Sequence, residues 1–279
     1  MHQTKKIKVT ILENNLVVGG VQRLVIDQLT ALTPDMFEVH LITLTQPDRD
    51  DFYERVPKYV RTTRLHFKST KDIKSWIQLI KILKVIPLAT LVTEEEVSQI
   101  CKSLKSSEVP IIEITLRDDR VKNILKYFKN FPEIRLGVGT IRNLTDIDLA
   151  IESGASFLIT PGFSPTLSSY AQKKNILLIP GIQTPSEIMQ ASEAGHKILK
   201  FFPAELSGGV ERLHAYKSVF PDISFIPTGG ITETNMGSYL KLSNVIATGS
   251  SSIISNDLIE NQHWDELTKR LDSIKNKNE

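Results

Sequence analysis

The octapeptide Ile198-Leu199-Lys200-Phe201-Phe202-Pro203-Ala204-Glu205 places an amine inside a short apolar run that ends at a proline and is followed by Gly208-Gly209. This pattern puts Lys200 at the C-terminal end of a buried strand, where α/β barrels keep their chemistry. Among Leu199, Phe201 and Phe202, desolvation disfavours the ammonium and favours a free amine of the kind that forms a Schiff base with a ketone. Taken alone, the octapeptide fits better a strand-end lysine that snorkels to solvent or pairs with a carboxylate.

A carboxylate is present in a second run, Ile112-Glu113-Ile114-Thr115-Leu116-Arg117. On a strand, Glu113 and Thr115 share a side, and Arg117 stands at the rim. A buried Glu113–Lys200 pair is a sound structural device, and it also sets side by side the two groups that proton transfer around a Schiff base needs. The rigid fork of Arg117 suits a carboxylate or phosphate as well as a rim salt bridge. Other runs end in small or hydroxyl-bearing residues: Gly137-Val138-Gly139-Thr140, Thr160-Pro161-Gly162, Ile179-Pro180-Gly181, Thr228-Gly229-Gly230 and Gly249-Ser250-Ser251-Ser252. The last two point to an anion held on backbone amides, with a short helix expected to begin within 252–254. Thr115 and Thr140 serve as well as interior filler, and Gly229-Gly230 as a plain turn.

The elements that must position these residues follow from periodicity. Strands are expected at 85–89, 111–115, 134–139, 157–160, 176–180, 198–202, 225–228 and 245–248, with helices at 94–107, 119–129, 144–153, 185–194 and 210–219. Eight strand-helix repeats predict a compact (β/α)8 TIM barrel over residues 85–279. A flavodoxin-like open sheet is the alternative and would use fewer strands. Residues 1–84 read as a partial Rossmann-like α/β segment: strands at 6–12, 37–45 and 60–67, a helix at 21–32, a second helix at 72–84, and Gly19-Gly20 in a turn able to cradle an anion.

Composition bounds the rest. The chain has 279 residues, 41% hydrophobic and 24% charged, ordinary for a soluble globular protein. Residues 1–84 carry 14 Lys/Arg against 9 Asp/Glu, and residues 85–279 carry 20 against 23. That asymmetry marks a compositional boundary but is too mild, and too little interleaved with aromatics, for nucleic acid binding. No apolar run approaches the ~20 residues of a membrane span, and no cleavable leader is evident, so a cytoplasmic location is expected. Cys101 is the only cysteine and the six histidines show no metal-ligand spacing, so neither disulfide nor metal site is expected.

Two resemblances complete the reading. Residues 1–84, through Gly19-Gly20-Val21-Gln22-Arg23, FEVHLITLT, VRTTRL and DIKSWIQLIKILK, resemble the start of the N-terminal domain of family-4, GT-B type glycosyltransferases. The donor-binding half is absent, so no sugar transfer is expected. Residues 85–279 resemble the KDPG/KHG aldolases, class I pyruvate aldolases, through IEITLR, GVGT, FLITPG, LIPGIQTPSE, LKFFPAE and IPTGGI. That resemblance implies a cytoplasmic homotrimer that needs no cofactor. It implies Lys200 as Schiff base and Glu113 as general acid/base, and Arg117 and Thr140 holding the pyruvyl carboxylate. Pro180 and Phe202 would line the site, and Gly229, Gly230 and Ser251 would take a distal phosphate. The substrate would be 2-keto-3-deoxy-6-phosphogluconate or 4-hydroxy-2-oxoglutarate; the alternative is a catalytically impaired fusion or scaffold. Where the family commonly shows Gly-Gly-Ser-Trp, this chain has Gly249-Ser250-Ser251-Ser252, and the added Cβ is expected to weaken phosphate binding if the backbone there needs a left-handed φ.

Overall fold

A computed structural model describes residues 6–13, 20–43, 52–64, 79–81 and 83–277. The chain divides into two compact units, residues 1–79 and 80–278. The division falls inside the segment expected to be a helix over 72–84, most of which lies outside the described residues, as does Gly19.

The first unit contains β1 (Ile7–Glu13), α1 (Gly20–Ala31), β2 (Phe37–Thr43), a 3-10 turn at Phe52–Arg55 and β3 (Arg61–Arg64). The strands form a parallel sheet in the order β1-β2-β3. Its core gathers Val25, Ile26 and Leu29 from α1 with Val39 and Leu41 from β2, and Val60. On the same helix Leu24 is exposed, while Ile26 is buried.

Across β2 and β3, His40 faces Arg61 in register. Arg61 Nη2 lies 2.8 Å from His40 Nδ1, and His40 Nε2 lies 2.8 Å from Thr63 Oγ1. Because a guanidinium only donates, Nδ1 accepts and the ring proton sits on Nε2. Burial and the nearby Arg61 charge lower the His40 pKa to about 4. The folded protein therefore binds fewer protons than the unfolded chain below the ordinary histidine value. The stabilisation is complete above about 6.5 and is lost as pH falls through about 4. Comparing thermal melts of the full chain and His40→Gln should show the advantage of the parent shrinking between pH 7 and 4, by on the order of 1 kcal/mol after solvent screening.

The second unit opens with a helical turn that ends at Lys84, whose left-handed φ of 56° breaks the helix while its N–H still bonds Ile80. There follow β4 (Val85–Ala89), α2 (Glu94–Ser106), β5 (Ile111–Thr115), α3 (Val121–Ile124), β6 (Arg135–Gly139), α4 (Leu144–Glu152), β7 (Phe157–Ile159), α5 (Pro165–Lys173), β8 (Leu177–Ile179) and β9 (Gly181–Ile182). Then come α6 (Pro185–Glu193), β10 (Ile198–Phe201), α7 (Gly209–Val219), β11 (Ser224–Pro227), α8 (Met236–Leu240), β12 (Thr248–Ser250), α9 (Asn256–Glu260) and α10 (Trp264–Lys277). Helix starts are fixed by their caps. Thr93 with Glu96 and Thr184 with Glu187 make reciprocal capping boxes, and the side chains of Asn143 and Ser164 each accept an amide of the first turn.

Every ladder of this unit is parallel. One sheet runs β12-β4-β5-β6-β7-β8 and another β11-β10-β9. Only Pro180 separates β8 from β9, and bridges Thr228↔Gly249 and Phe225↔Val245 join β11 and the β12 segment. Strands β4 and β5 are buried throughout, as expected for parallel strands covered on both faces.

Several boundaries differ from the sequence reading. The last strand is displaced to Thr248–Ser250, because Val245 makes only an isolated bridge and the chain enters register with β4 at Thr248↔Val85. The helix expected over 119–129 is one α-turn followed by a 3-10 stretch, Leu125–Asn130. The short helix expected to start within 252–254 begins at Asn256 instead: Ile253 and Ile254 turn inward and are buried, and Ser255 is extended.

Candidate active site

Lys200 and Glu113 meet inside the second unit. Lys200 is the third residue of β10 and Glu113 the third of β5, and Nζ donates to Glu113 Oε1 at 3.3 Å with both side chains buried. Two charges removed from water are tolerated because they compensate each other, and each alone would cost several kcal/mol. The Lys200 ammonium also lies 5.2 Å from the centroid of the Phe202 ring, which forms part of its apolar wall.

Space for the carboxylate is made by Gly139. A Cβ there would fall 2.0 Å from Glu113 Oε1 and 2.7 Å from its Cδ. Gly137, in register with Glu113, is filled from the other side by Phe157, whose ring would meet a Cβ at 2.2 Å. Gly139→Ala should therefore move the carboxylate off Lys200. Turnover is expected to fall about 100-fold and stability by about 1–3 kcal/mol, read by steady-state kinetics and thermal melting of the same preparation.

Next to Gly139, Thr140 adopts a left-handed φ of 62°. A β-branched residue in this region is strained by about 1–3 kcal/mol and persists where its surroundings hold it. Here the next residue is fixed by Ile141 N–H donating to the Ile159 carbonyl at 3.1 Å. Thr140→Gly should melt higher by about 1 kcal/mol in thermal denaturation, since glycine adopts this φ without strain.

The other expected residues are placed as follows. The carbonyl of buried Pro180 accepts the Lys200 backbone N–H at 2.9 Å, so the proline that interrupts the ladder still anchors the lysine. Phe202 precedes a cis peptide bond to Pro203, and the Gly229 α-carbon packs against both: a Cβ there would meet Pro203 Cα at 3.1 Å and the Phe202 ring at 3.2 Å. Gly229 and Gly230 have φ of 96° and 79°, conformations that suit glycine alone. Glu205 packs beside Gly230 and accepts the Tyr239 hydroxyl proton.

Arg117 and Ser251 are exposed and line a cavity of about 480 Å³ together with Thr90, Thr115, Ser255 and Asn256. Lys200 and Glu113 do not line this cavity; Thr115, one strand step beyond Glu113, links it to them. Two contributors were not singled out in the sequence. Thr90 shares a 2.7 Å hydrogen bond with Thr115, and Asp118 ion-pairs Arg120, which leaves the Arg117 guanidinium to the cavity. The signal for Thr90 was its place directly after the first strand; for Asp118, its place directly after Arg117. Among the described residues no cluster of His, Cys, Asp or Glu has the makings of a metal site. The buried Cys101 thiol is pushed up to about 12, mainly by burial, and is inert.

A lysine buried against a carboxylate, one strand step from a polar cavity in a parallel α/β sheet, is the arrangement that a Schiff-base-forming α/β enzyme requires. Comparison with known proteins narrows the class. The sequence pattern described as KDPG and KHG aldolase matches residues 76–270. The KHG/KDPG aldolase of Escherichia coli K12 is 38% identical over 186 residues, 66% of this chain and 87% of that protein. The 2-dehydro-3-deoxy-phosphogluconate aldolase of Haemophilus influenzae is 32% identical over 199 residues, 71% and 94% of the two chains. Among solved structures, the KDPG aldolase of Legionella pneumophila, with pyruvate captured at low pH as a covalent carbinolamine, superposes with a TM-score of 0.68 at 32% identity, covering 71% of this chain and 97% of that one. The 2-keto-3-deoxy-6-phosphogluconate aldolase of Zymomonas mobilis ZM4 with 3-phosphoglycerate gives 0.66 at 28% identity, covering 74% and 97%. This chain belongs to the KDPG and KHG aldolase family.

Proposed function

We propose that the protein is a class I aldolase, an aldehyde-lyase that cleaves a 4-hydroxy-2-keto acid to pyruvate and an aldehyde. The aldehyde is glyceraldehyde 3-phosphate from 2-keto-3-deoxy-6-phosphogluconate, or glyoxylate from 4-hydroxy-2-oxoglutarate. The observation that carries this reading is the buried 3.3 Å contact of Lys200 with Glu113.

The amine of Lys200 adds to the C2 ketone, and the carbinolamine loses water to give an iminium. Glu113, directly or through a water, accepts the proton of the C4 hydroxyl. As the C3–C4 bond breaks, its electron pair moves into the iminium and forms an enamine, and the C4 oxygen becomes the aldehyde carbonyl. Protonation at C3 and hydrolysis release pyruvate and restore the amine. Arg117 and Thr140 hold the pyruvyl carboxylate, Pro180 and Phe202 shape the apolar wall, and Gly229, Gly230 and Ser251 face the distal end.

The reading takes the second unit as a closed (β/α)8 barrel, with β8 and β9 counted as one strand across Pro180. The two bridges between β11 and the β12 segment support that closure. It assigns the catalytic domain to 85–279, and to 1–84 a partial Rossmann-like segment that resembles the start of a glycosyltransferase and lacks transfer activity. It takes the enzyme as a cytoplasmic homotrimer acting on a small-molecule substrate without cofactor, nucleic acid or membrane.

Borohydride trapping of the full chain with pyruvate, followed by intact mass and peptide mapping, tests the assignment. A pyruvyl adduct on Lys200 is the expected result. A folded protein that gives no adduct would sink the aldolase reading and leave a scaffold.

A further inference from the structure

Three neighbouring parallel strands, in the order β12-β4-β5, each lead into a residue that lines the cavity of about 480 Å³. Ser251 directly follows β12, Thr90 directly follows β4, and Arg117 stands two residues past β5. Adjacent strands lie about 4.8 Å apart, so β4 places Thr90 midway across the roughly 10 Å between the strand that carries Ser251 and the strand that carries Arg117. A keto acid with its carboxylate on Arg117 and its far end at Ser251 runs its middle carbons past Thr90.

The chemistry offered there is that of a hydroxyl pair. Thr90 Oγ1 lies 2.7 Å from Thr115 Oγ1, which lies 3.4 Å from the Ala89 carbonyl. Thr115 is buried, while Thr90 is half-buried in the cavity wall. A hydroxyl has one proton and two acceptor lone pairs. When Thr115 donates to Ala89, Thr90 donates to Thr115 and keeps two lone pairs for a ligand. When Thr115 donates to Thr90 instead, the Thr90 proton and one lone pair are free. An alcohol both donates and accepts, so either arrangement matches it, whereas an anion is matched by the second alone. On its other side Thr90 lines a smaller cavity of about 180 Å³ with the carboxylates of Glu96, Asp118 and Glu260. The one basic residue lining that cavity, Arg120, is paired with Asp118. These carboxylates repel a phosphate or carboxylate and leave a neutral group unopposed.

We propose that Thr90 binds the hydroxyl on C5 of the substrate, and that the enzyme thereby selects aldehydes that carry a hydroxyl beside the carbonyl. The C4 hydroxyl is engaged by Glu113 and the distal end lies at Ser251, which leaves C5 for Thr90. This rests on the aldolase reading and deepens it at the aldehyde end.

The test runs the reaction in the condensing direction, joining pyruvate to lactaldehyde or to propionaldehyde, two aldehydes that differ only in the hydroxyl that becomes the one on C5. The parent, Thr90→Val and Thr90→Ser are compared by kcat/KM for each aldehyde, with melting curves as a folding check. Valine keeps the branched shape and strands no buried donor, because Thr115 retains the Ala89 carbonyl. Thr90→Val should lower the lactaldehyde-to-propionaldehyde ratio about tenfold, the worth of one hydrogen bond, and Thr90→Ser should restore most of it. An unchanged ratio in folded Thr90→Val overturns the proposal. So does an equal loss with both aldehydes accompanied by a rise in the pyruvate concentration that half-saturates borohydride trapping, which would put Thr90 at the carboxylate end. A parent that forms no pyruvate adduct defeats the aldolase reading and this inference with it, whereas an adduct with an unchanged ratio defeats the inference alone.

Discussion

Lys200→Met should reduce cleavage of either keto acid by on the order of 10⁵-fold or more and abolish the borohydride-trapped adduct. The iminium is the electron sink for the C3–C4 pair, and methionine offers nothing to replace it. The substitution keeps the length and apolar stem of the side chain, so the cavity term is small. It does strip Glu113 of its partner inside the protein. A carboxylate buried to this degree is then left without the cation that compensates it. The expected cost is about 3–5 kcal/mol, visible as a lower melting temperature. A variant that folds and still turns over at more than about a hundredth of the parental rate would remove Lys200 from the chemistry.

Glu113→Gln should separate covalent capture from bond cleavage. Glutamine preserves the volume beside Gly139 but cannot accept the C4 hydroxyl proton, and general acid–base contributions of this kind are worth about 10²–10⁴-fold. Single-turnover cleavage should fall by that factor. Trapping of pyruvate, measured by mass after fixed times, should slow but still reach completion at Lys200, because the amine remains. If trapping and cleavage fall by the same factor, Glu113 serves chiefly to position Lys200. If cleavage is unaffected, the proton is taken by another group or by solvent.

The residues that meet at the site were legible because strand chemistry has a short period. Glu113 and Thr115 had to share a side, and Lys200 had to sit near the end of an apolar strand; the hydrogen bond between Lys200 and Glu113 follows from that placement. The caps are equally local: Thr93, Asn143 and Thr184 each stand directly before the helix they start. What sequence could not give depends on partners distant in the chain. The inward turn of Ile253 and Ile254, which pushes the short helix on to Asn256, is set by packing against other elements. The clash that reserves Gly139 for the carboxylate involves an atom on the neighbouring strand. Ser250 read as a possible backbone fault at a glycine position. The structure gives it no positive φ and ties its hydroxyl to the Ile231 carbonyl, a contact visible only once the loop after β11 stands beside it.

The register Val85↔Thr248, supported by Thr248 N–H donating to the Lys84 carbonyl, joins the first strand of the second unit to its last. During synthesis β4 emerges with one edge that its eventual partner cannot cover until nearly the whole chain has left the ribosome. The seam is therefore the slowest contact to form and the longest exposed to wrong pairing. Nascent chains stalled before Thr248 should be protease-sensitive and chaperone-bound, and release of the last helices should convert them to a protected form.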